Sequence, residues 1–184
     1  MISRDEAIEL LHTHIKADNM LKHCLASEAV LRAIARHLGE NEDEYGLAGL
    51  LHDIDVEITN ADPKTHGPYA EKLLKGKVSD AMLDAIVMHN EMATGLERST
   101  QFQHALAAGE TITGLITATT LVYPDKKLAS VKSKSVTKRM KQKAFAASVK
   151  RENILECENI GIPIDEFAEL SVNAMREISD ELGL

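Results

Sequence analysis

Six side chains of the kind that bind divalent metals are spread over the first two thirds of the chain. They comprise four histidines and two carboxylates: His23, His52, Asp53, His66, His89 and Glu110. A set of imidazoles and carboxylates without cysteine suits one or two divalent transition metals, namely Mn, Fe, Co, Ni or Zn. Because His52 and Asp53 are adjacent, an aspartate bridging two metals is one possible arrangement. The sequence therefore predicts a mononuclear or dinuclear metal site.

Glu110 has an unusual setting that supports this prediction. It is the only Asp, Glu, Lys or Arg between Ser99 and Pro124. A helix this apolar is expected to be buried, and a lone buried carboxylate is costly unless it is paired or binds a metal. Its partner is either a metal or a buried Arg or Lys, and the histidines elsewhere in the chain favour the metal.

Each of these residues alone has an ordinary explanation. A single histidine is more often a surface or core residue than a ligand, and His52-Asp53 alone is typical of a capped helix end. Taken together, they fall at the ends or inner faces of successive predicted helices, and metal sites in helical bundles are built from such inward side chains. Asp55 and Glu57 are either acceptors that orient ligand histidines or charges on a loop surface.

The elements that must position these residues are helices. The capping box of Ser3 and Glu6, the stop at Gly39 and apolar spacings of three and four residues predict an all-α, single-domain helical bundle over residues 1–184. An aromatic content of 3% without Trp favours the same fold class. Six to nine helices are expected, with these bounds: Ser3 to Ile15, Met20 to Leu38, Asn41 to Leu51, Ala70 to Leu74, Ser79 to His89, Gln101 to Val122, Lys134 to Phe145, Glu152 to Ile160 and Ile164 to Glu181.

Charge is distributed unevenly along the chain. The net charge is -8, yet residues 126–151 contain ten Lys and Arg and no Asp or Glu. One interpretation is a phosphate-binding wall beside the metal site, with Lys126 and Lys127 as the substrate-binding residues because they follow the helix of Glu110. The other is a solvated face that balances acidic neighbours or a partner subunit in a homo-oligomer. The negative total charge argues against nucleic-acid binding.

The expected location is the cytoplasm. Cys24 and Cys157 match no zinc or redox spacing and are interpreted as free thiols in a reducing compartment. Charges at Arg4, Asp5 and Glu6 make a signal peptide unexpected. No apolar run is long enough to predict a membrane-spanning helix.

The order His23, His52-Asp53 and a later carboxylate resembles the HD-domain metal-dependent phosphohydrolases. The segment from His52 to Asp55 is similar to the HDIG variant of their motif, with Asp55 where that variant has Gly. The resemblance covers about Met20 to Thr120, the expected metal-binding core, and leaves 126–184 as a C-terminal helical extension.

This resemblance implies that His23, His52, Asp53 and the last carboxylate hold a first metal. Family members with two extra histidines bind a second metal, with the motif's aspartate bridging, and this chain has His66 and His89 in those places. Members usually end the motif with Asp, so Glu110 predicts a weaker or displaced first metal.

The function implied is hydrolysis of a phosphate ester or anhydride, with a nucleotide as the expected substrate and His52 and Asp53 at the catalytic centre. Two other functions stay open. One is a di-iron oxygenase of the same superfamily, and the other is a non-catalytic domain that binds metal or nucleotide and regulates a partner.

Overall fold

Helices form all the regular structure of the chain. The computed structural model describes residues 1–184 and contains eleven α-helices, two short 3-10 helices and no strand. The α-helices are α1 Arg4–His14, α2 Asp18–Leu38, α3 Glu42–Leu51, α4 Ala70–Leu74, α5 Asp80–Met88, α6 Glu91–Thr94, α7 Gln101–Leu121, α8 Ser133–Met140, α9 Arg151–Leu155, α10 Ile164–Glu177 and α11 Ser179–Leu182, and the 3-10 helices are Leu128–Ser130 and Glu156–Ile160. The prediction of an all-α fold is confirmed.

The number of helices exceeds the predicted six to nine, for local reasons. The α6 helix has only four residues, too few to show helical periodicity. The last predicted helix is split at Ile178, which adopts a non-helical conformation between α10 and α11. The predicted basic helix ends at Met140 instead of Phe145, and turns follow up to Ser148.

The two longest helices, α2 and α7, lie at the centre of the packing. The α2 helix contacts α3, α7 and α10, and α7 also contacts α5, α9 and α10. One apolar cluster of 42 buried residues extends from Ala7 to Leu182 and includes Phe167 of the C-terminal extension. It also contains both cysteines, and burial raises the pKa of Cys24 well above its usual range and that of Cys157 to about 12. Both thiols are therefore protonated, unreactive core residues.

A close approach between α2 and α3 depends on Gly49. A Cβ atom at this position would lie 2.6 Å from the carbonyl oxygen of Ser27 on α2. Only glycine allows the two backbones to come so near without a shift. The contact brings His52, which caps the end of α3, towards His23 on α2.

None of the helices combines the length and the apolar character needed to cross a lipid bilayer.

Candidate metal centre

Four histidines from separate parts of the chain surround the carboxylate of Asp53. His23 lies within α2, whereas His52 and His89 cap the C-terminal ends of α3 and α5. His66 lies in the turns between α3 and α4. The sequence separates these side chains widely, and the helical packing brings them together.

Each oxygen of Asp53 faces one pair of histidines. Its Oδ2 lies 3.5 Å from Nε2 of His23 and 3.4 Å from Nε2 of His52. Its Oδ1 lies 3.0 Å from Nε2 of His66 and 3.5 Å from Nε2 of His89. We call the pair His23 and His52 the first half of the centre, and the pair His66 and His89 the second half.

Within each half the two imidazoles approach each other with their Nε2 atoms. The Nε2 atoms are 3.1 Å apart in the first half and 3.0 Å apart in the second. Asp53 with either pair forms a group of three donor atoms close enough to hold one ion. The geometry thus provides two neighbouring three-atom groups that share a single carboxylate.

The other ring nitrogen, Nδ1, faces a protein oxygen in all four histidines. In the first half, Nδ1 of His52 donates to the Gly49 carbonyl (2.8 Å), and Nδ1 of His23 lies 3.0 Å from the Thr113 hydroxyl. That hydroxyl donates its own proton to the Glu110 carbonyl (2.7 Å), so it accepts from His23. With the proton on Nδ1, the Nε2 lone pair of each ring is directed at Asp53.

The second half is arranged in the same way, with one difference. Nδ1 of His89 donates to the Ile86 carbonyl at 2.6 Å. Nδ1 of His66 donates instead to a carboxylate, Oδ1 of Asp55, at 2.8 Å. His66 is therefore the one imidazole of the four that has an anion on both sides.

These contacts shift the ionisation of the cluster. Burial favours the neutral form of Asp53, but its histidine neighbours prevail and hold its pKa well below the usual range. Burial also opposes charge on His66, yet hydrogen bonds to Asp53 and Asp55 raise its pKa to about 10. Burial and the neighbouring His52 lower the pKa of His23. The cluster combines one firmly ionised carboxylate with imidazoles that compete for protons.

Asp55 and Glu57, for which the sequence left two interpretations, have different roles. Asp55 is fully buried, and its second oxygen accepts from the backbone N–H of Gly67 at 2.8 Å. Glu57 contacts none of the histidines and instead accepts from the backbone N–H groups of Lys16 and Ala17, both at 2.9 Å, just before α2. Asp55 therefore contacts one of the four clustered histidines, as one interpretation of the sequence expected, whereas Glu57 contacts none of them.

Glu110 lies beside the first half but outside the two groups of close donor atoms. Its Oε2 is 3.9 Å from Nε2 of His23, and its Oε1 accepts from the hydroxyl of Thr111. No Lys or Arg pairs with it, so the sequence alternative of a buried cationic partner is wrong. The prediction that Glu110 makes the first metal weaker or displaced stays a prediction.

Arg98 is a supporting residue that sequence reasoning missed. Its side chain is only 2% exposed, and its guanidinium donates to the carbonyls of Met88 and His89 at 3.0 and 3.1 Å. It also pairs with Glu156 at 2.5 Å, and Glu156 in turn contacts His104. No pattern in the sequence distinguishes this arginine from a surface one.

A cavity of about 260 Å³ opens beside the centre, and its basic residue differs from the predicted ones. His23, His89, Glu110 and Lys150 are among its lining residues. Lys126 and Lys127 are exposed beyond the end of α7 and do not line the cavity. The end of α7 is itself about 16 Å along the helix axis from Glu110. The basic segment 126–151 does reach the cavity, but with Lys150 near its C-terminal end.

Comparison with protein families identified one match. The family model described as the HD domain matches residues 20–119. This range contains all six predicted metal-binding residues and excludes the basic segment 126–151. No curated protein and no solved structure matched the chain.

Proposed function

Because the chain belongs to the HD domain family, the superfamily of metal-dependent phosphohydrolases, we propose that it hydrolyses a phosphate ester or anhydride at a dinuclear metal centre. Nucleotides are the first substrates to test. One observation carries the proposal: the four imidazole Nε2 atoms are directed in pairs at the two oxygens of Asp53.

The donor set fits divalent metals. The Asp53 carboxylate is buried, and its charged neighbours are histidines instead of Lys or Arg. Buried carboxylates need a compensating charge, and imidazole lone pairs directed at the same point are suited to supply ligands to a cation. Without a bound cation, the imidazole lone pairs and the Asp53 oxygens would repel each other unless the imidazoles were protonated.

The two halves would each hold one ion. His23, His52 and Oδ2 of Asp53 form the first site, with Glu110 as its further carboxylate on the cavity side. His66, His89 and Oδ1 of Asp53 form the second. Asp53 thereby sets the separation of the two ions, and the Nδ1 hydrogen bonds fix the orientation of the four rings.

The reaction divides between the metals and the residues of the cavity. Bound divalent metals supply Lewis-acid polarisation of the phosphoryl group and activation of water. Lys150, an exposed cation on the cavity wall, binds and orients the substrate phosphate. Its ammonium contacts only the Met92 sulfur, at 3.9 Å, and so is free to take an anion.

The space around the centre supports a substrate larger than phosphate. The cavity shares His23 and Gly114 with a second recess of about 510 Å³, which Thr117 and Leu121 also line. Small-molecule sites commonly have several hundred Å³. A substrate with its phosphate in the cavity and its organic group in the recess would fill both spaces.

Elemental analysis of the purified protein, followed by activity assays, tests this proposal. We expect about two equivalents of Mn, Fe, Co, Ni or Zn, and loss of metal from His52→Ala and Asp53→Ala. Phosphomonoesters, cyclic nucleotides and dinucleoside polyphosphates are then assayed. Lys150→Ala should raise the KM of the best substrate, whereas Lys126→Ala, the matched control, should leave it unchanged.

The assays also separate the other functions. Turnover that needs iron and oxygen, with none under anaerobic conditions, would contradict hydrolysis and indicate an oxygenase. Intact metal binding without turnover across the whole panel would indicate a regulatory domain. Absence of metal after reconstitution would overturn the proposed centre itself.

A further inference from the structure

Asp55 differs from the other residues that hold the histidines in place. The Nδ1 atoms of His23, His52 and His89 face a hydroxyl or a backbone carbonyl, which are neutral. Only His66 has a carboxylate in that position. This carboxylate stands where the HDIG motif has glycine, so the feature belongs to this chain's own version of the motif.

Both oxygens of Asp55 are used to fix one short segment. Oδ1 accepts from the imidazole of His66 and Oδ2 from the backbone N–H of Gly67, each at 2.8 Å. Asp55 is 0% exposed, so water does not compete for these bonds. The side chain thus holds the ring and the backbone next to it at the same time.

The segment that carries His66 needs such support. Residues 52–69 form turns and no regular helix, so helical hydrogen bonds do not fix the imidazole. Gly67 has a φ of +95°, and a Cβ there would lie 3.2 Å from the carbonyl oxygen of Val87. The Asp55 bond to the Gly67 N–H stabilises this tight turn against α5, beside His89.

We propose that Asp55 is the positioning residue for the second half, so that the metal held by His66 and His89 depends on it and the metal held by His23 and His52 does not. This rests on the proposed dinuclear function. A carboxylate behind an imidazole fixes the ring and raises its basicity as a ligand, and losing such a partner typically weakens metal binding by about 10–100-fold.

Restoring the glycine of the HDIG motif should weaken the centre of this chain. Asp55→Gly restores the sequence HDIG, yet it removes both hydrogen bonds and should remove the second metal. Asp55→Asn keeps the shape, but its single amide oxygen can accept only one of the two bonds. Both variants should therefore weaken the same half.

The experiment measures metal content and affinity in the full chain. Protein is loaded with Mn²⁺, desalted and analysed, and Mn²⁺ binding is measured by isothermal titration calorimetry. We expect two equivalents for the wild type and one for Asp55→Asn and Asp55→Gly, with the Kd of the second half raised about 10–100-fold. Glu57→Gln, a matched control in the same turn region that does not contact the histidines, should retain two.

A double variant tests whether Asp55 acts through His66. His66→Ala alone should bind one equivalent, and adding Asp55→Asn to it should change neither content nor Kd. A merely structural role would give a further loss in this background. The retained metal of the first half also serves as an internal check that each variant is folded.

Each outcome is decisive. Two equivalents with unchanged Kd values in Asp55→Asn would overturn the positioning role while leaving the dinuclear centre intact. Loss of both metals in Asp55→Asn would contradict the selectivity for the second half. A wild type that binds no Mn²⁺ would overturn the proposed function and this inference together.

Discussion

The two halves of the candidate centre use the same ligand chemistry on different supports. His23 and His52 are held by two packed helices, α2 and α3. His66 lies in irregular turns, and His89 caps the short helix α5. The first half is therefore positioned by helical backbone and close packing at Gly49.

The second half is positioned by buried charged side chains instead. Asp55 holds His66 from behind, and Arg98 holds the backbone carbonyl of His89. Neither residue contacts the Asp53 carboxylate. His66, on irregular backbone, is thus held by a carboxylate, whereas the three histidines in or at the ends of helices face neutral groups with Nδ1.

The largest expected effect comes from substitution of Asp53, the carboxylate that both halves share. Asp53→Asn should reduce metal binding in both halves and lower turnover on the order of 1000-fold, because the charge stabilisation lost is several kcal/mol. Elemental analysis and kcat/KM measure the two effects. His89→Ala, as the comparison, should cost only the second-half metal. Two tightly bound equivalents in Asp53→Asn would show that the halves do not share this carboxylate.

The second largest expected effect is the loss of stability on removal of the buried Arg98. Arg98→Met leaves Glu156 with only His104 as a partner and leaves the carbonyls of Met88 and His89 without their donor, so the free energy of unfolding should fall by about 3 kcal/mol and Tm by about 10 °C.

Arg36→Met is the matched control, because Arg36 and Glu42 form a surface pair with both side chains nearly half exposed. Its effect should stay below about 1 kcal/mol. Both are measured by thermal and urea unfolding. A Tm for Arg98→Met equal to that of Arg36→Met would contradict the supporting role of Arg98.

Proton release should report metal binding at His66 in the second half. With a pKa of about 10, His66 is protonated at pH 7 in the metal-free protein, and metal must displace that proton. The affinity of the second half should therefore rise about 10-fold per unit between pH 6 and 8. Calorimetry in buffers of different ionisation enthalpy counts the protons. Equal release by wild type and His66→Ala would argue against this assignment.

The same pKa predicts the stability of the metal-free protein. A raised pKa means that protonated His66 stabilises the fold fully below its ordinary value of 6.5 and loses that contribution as the pH rises to about 10. Metal-free wild type should lose stability over this range more steeply than His66→Ala in urea unfolding.

The smallest expected effect concerns the first half. Thr113→Val removes the acceptor for Nδ1 of His23, and first-half affinity should fall about 10-fold, less than for Asp55→Asn because the lost partner is neutral. Thr119→Val is the matched control, since its hydroxyl is buried on the same helix and bonds only to the Leu115 carbonyl. Equal metal affinity in both variants would show that helix packing alone holds His23.

Much of the fold could be predicted from local signals. The capping residues Ser3, Asn41 and Ser79 begin α1, α3 and α5 as expected, because a side-chain oxygen there accepts from free N–H groups of the first helical turn. Short elements such as α6 could not be predicted, since four residues carry no periodicity. The split near Ile178 likewise left no signal in the apolar pattern.

The candidate site was predicted in its ligand types but only in part in its supports, since Asp55 was a candidate and Arg98 was not. The histidines and carboxylates were identifiable because few residue types bind transition metals and their order matches a family motif. Lys150 was not chosen, because the sequence placed Lys126 and Lys127 nearer the helix of Glu110. The turns after Met140 decide which lysine reaches the cavity, and turns of this kind leave little trace in sequence.

The sequence by itself determined the helical fold class, the family and the six ligand candidates, since each depends on residue type, order and spacing. Only the tertiary structure decided that the four imidazoles divide into pairs across Asp53, that Asp55 is buried behind His66, and that Arg98 supports His89. These contacts join residues of different helices and turns. Their distances are set by helix packing and burial, which the linear pattern does not specify.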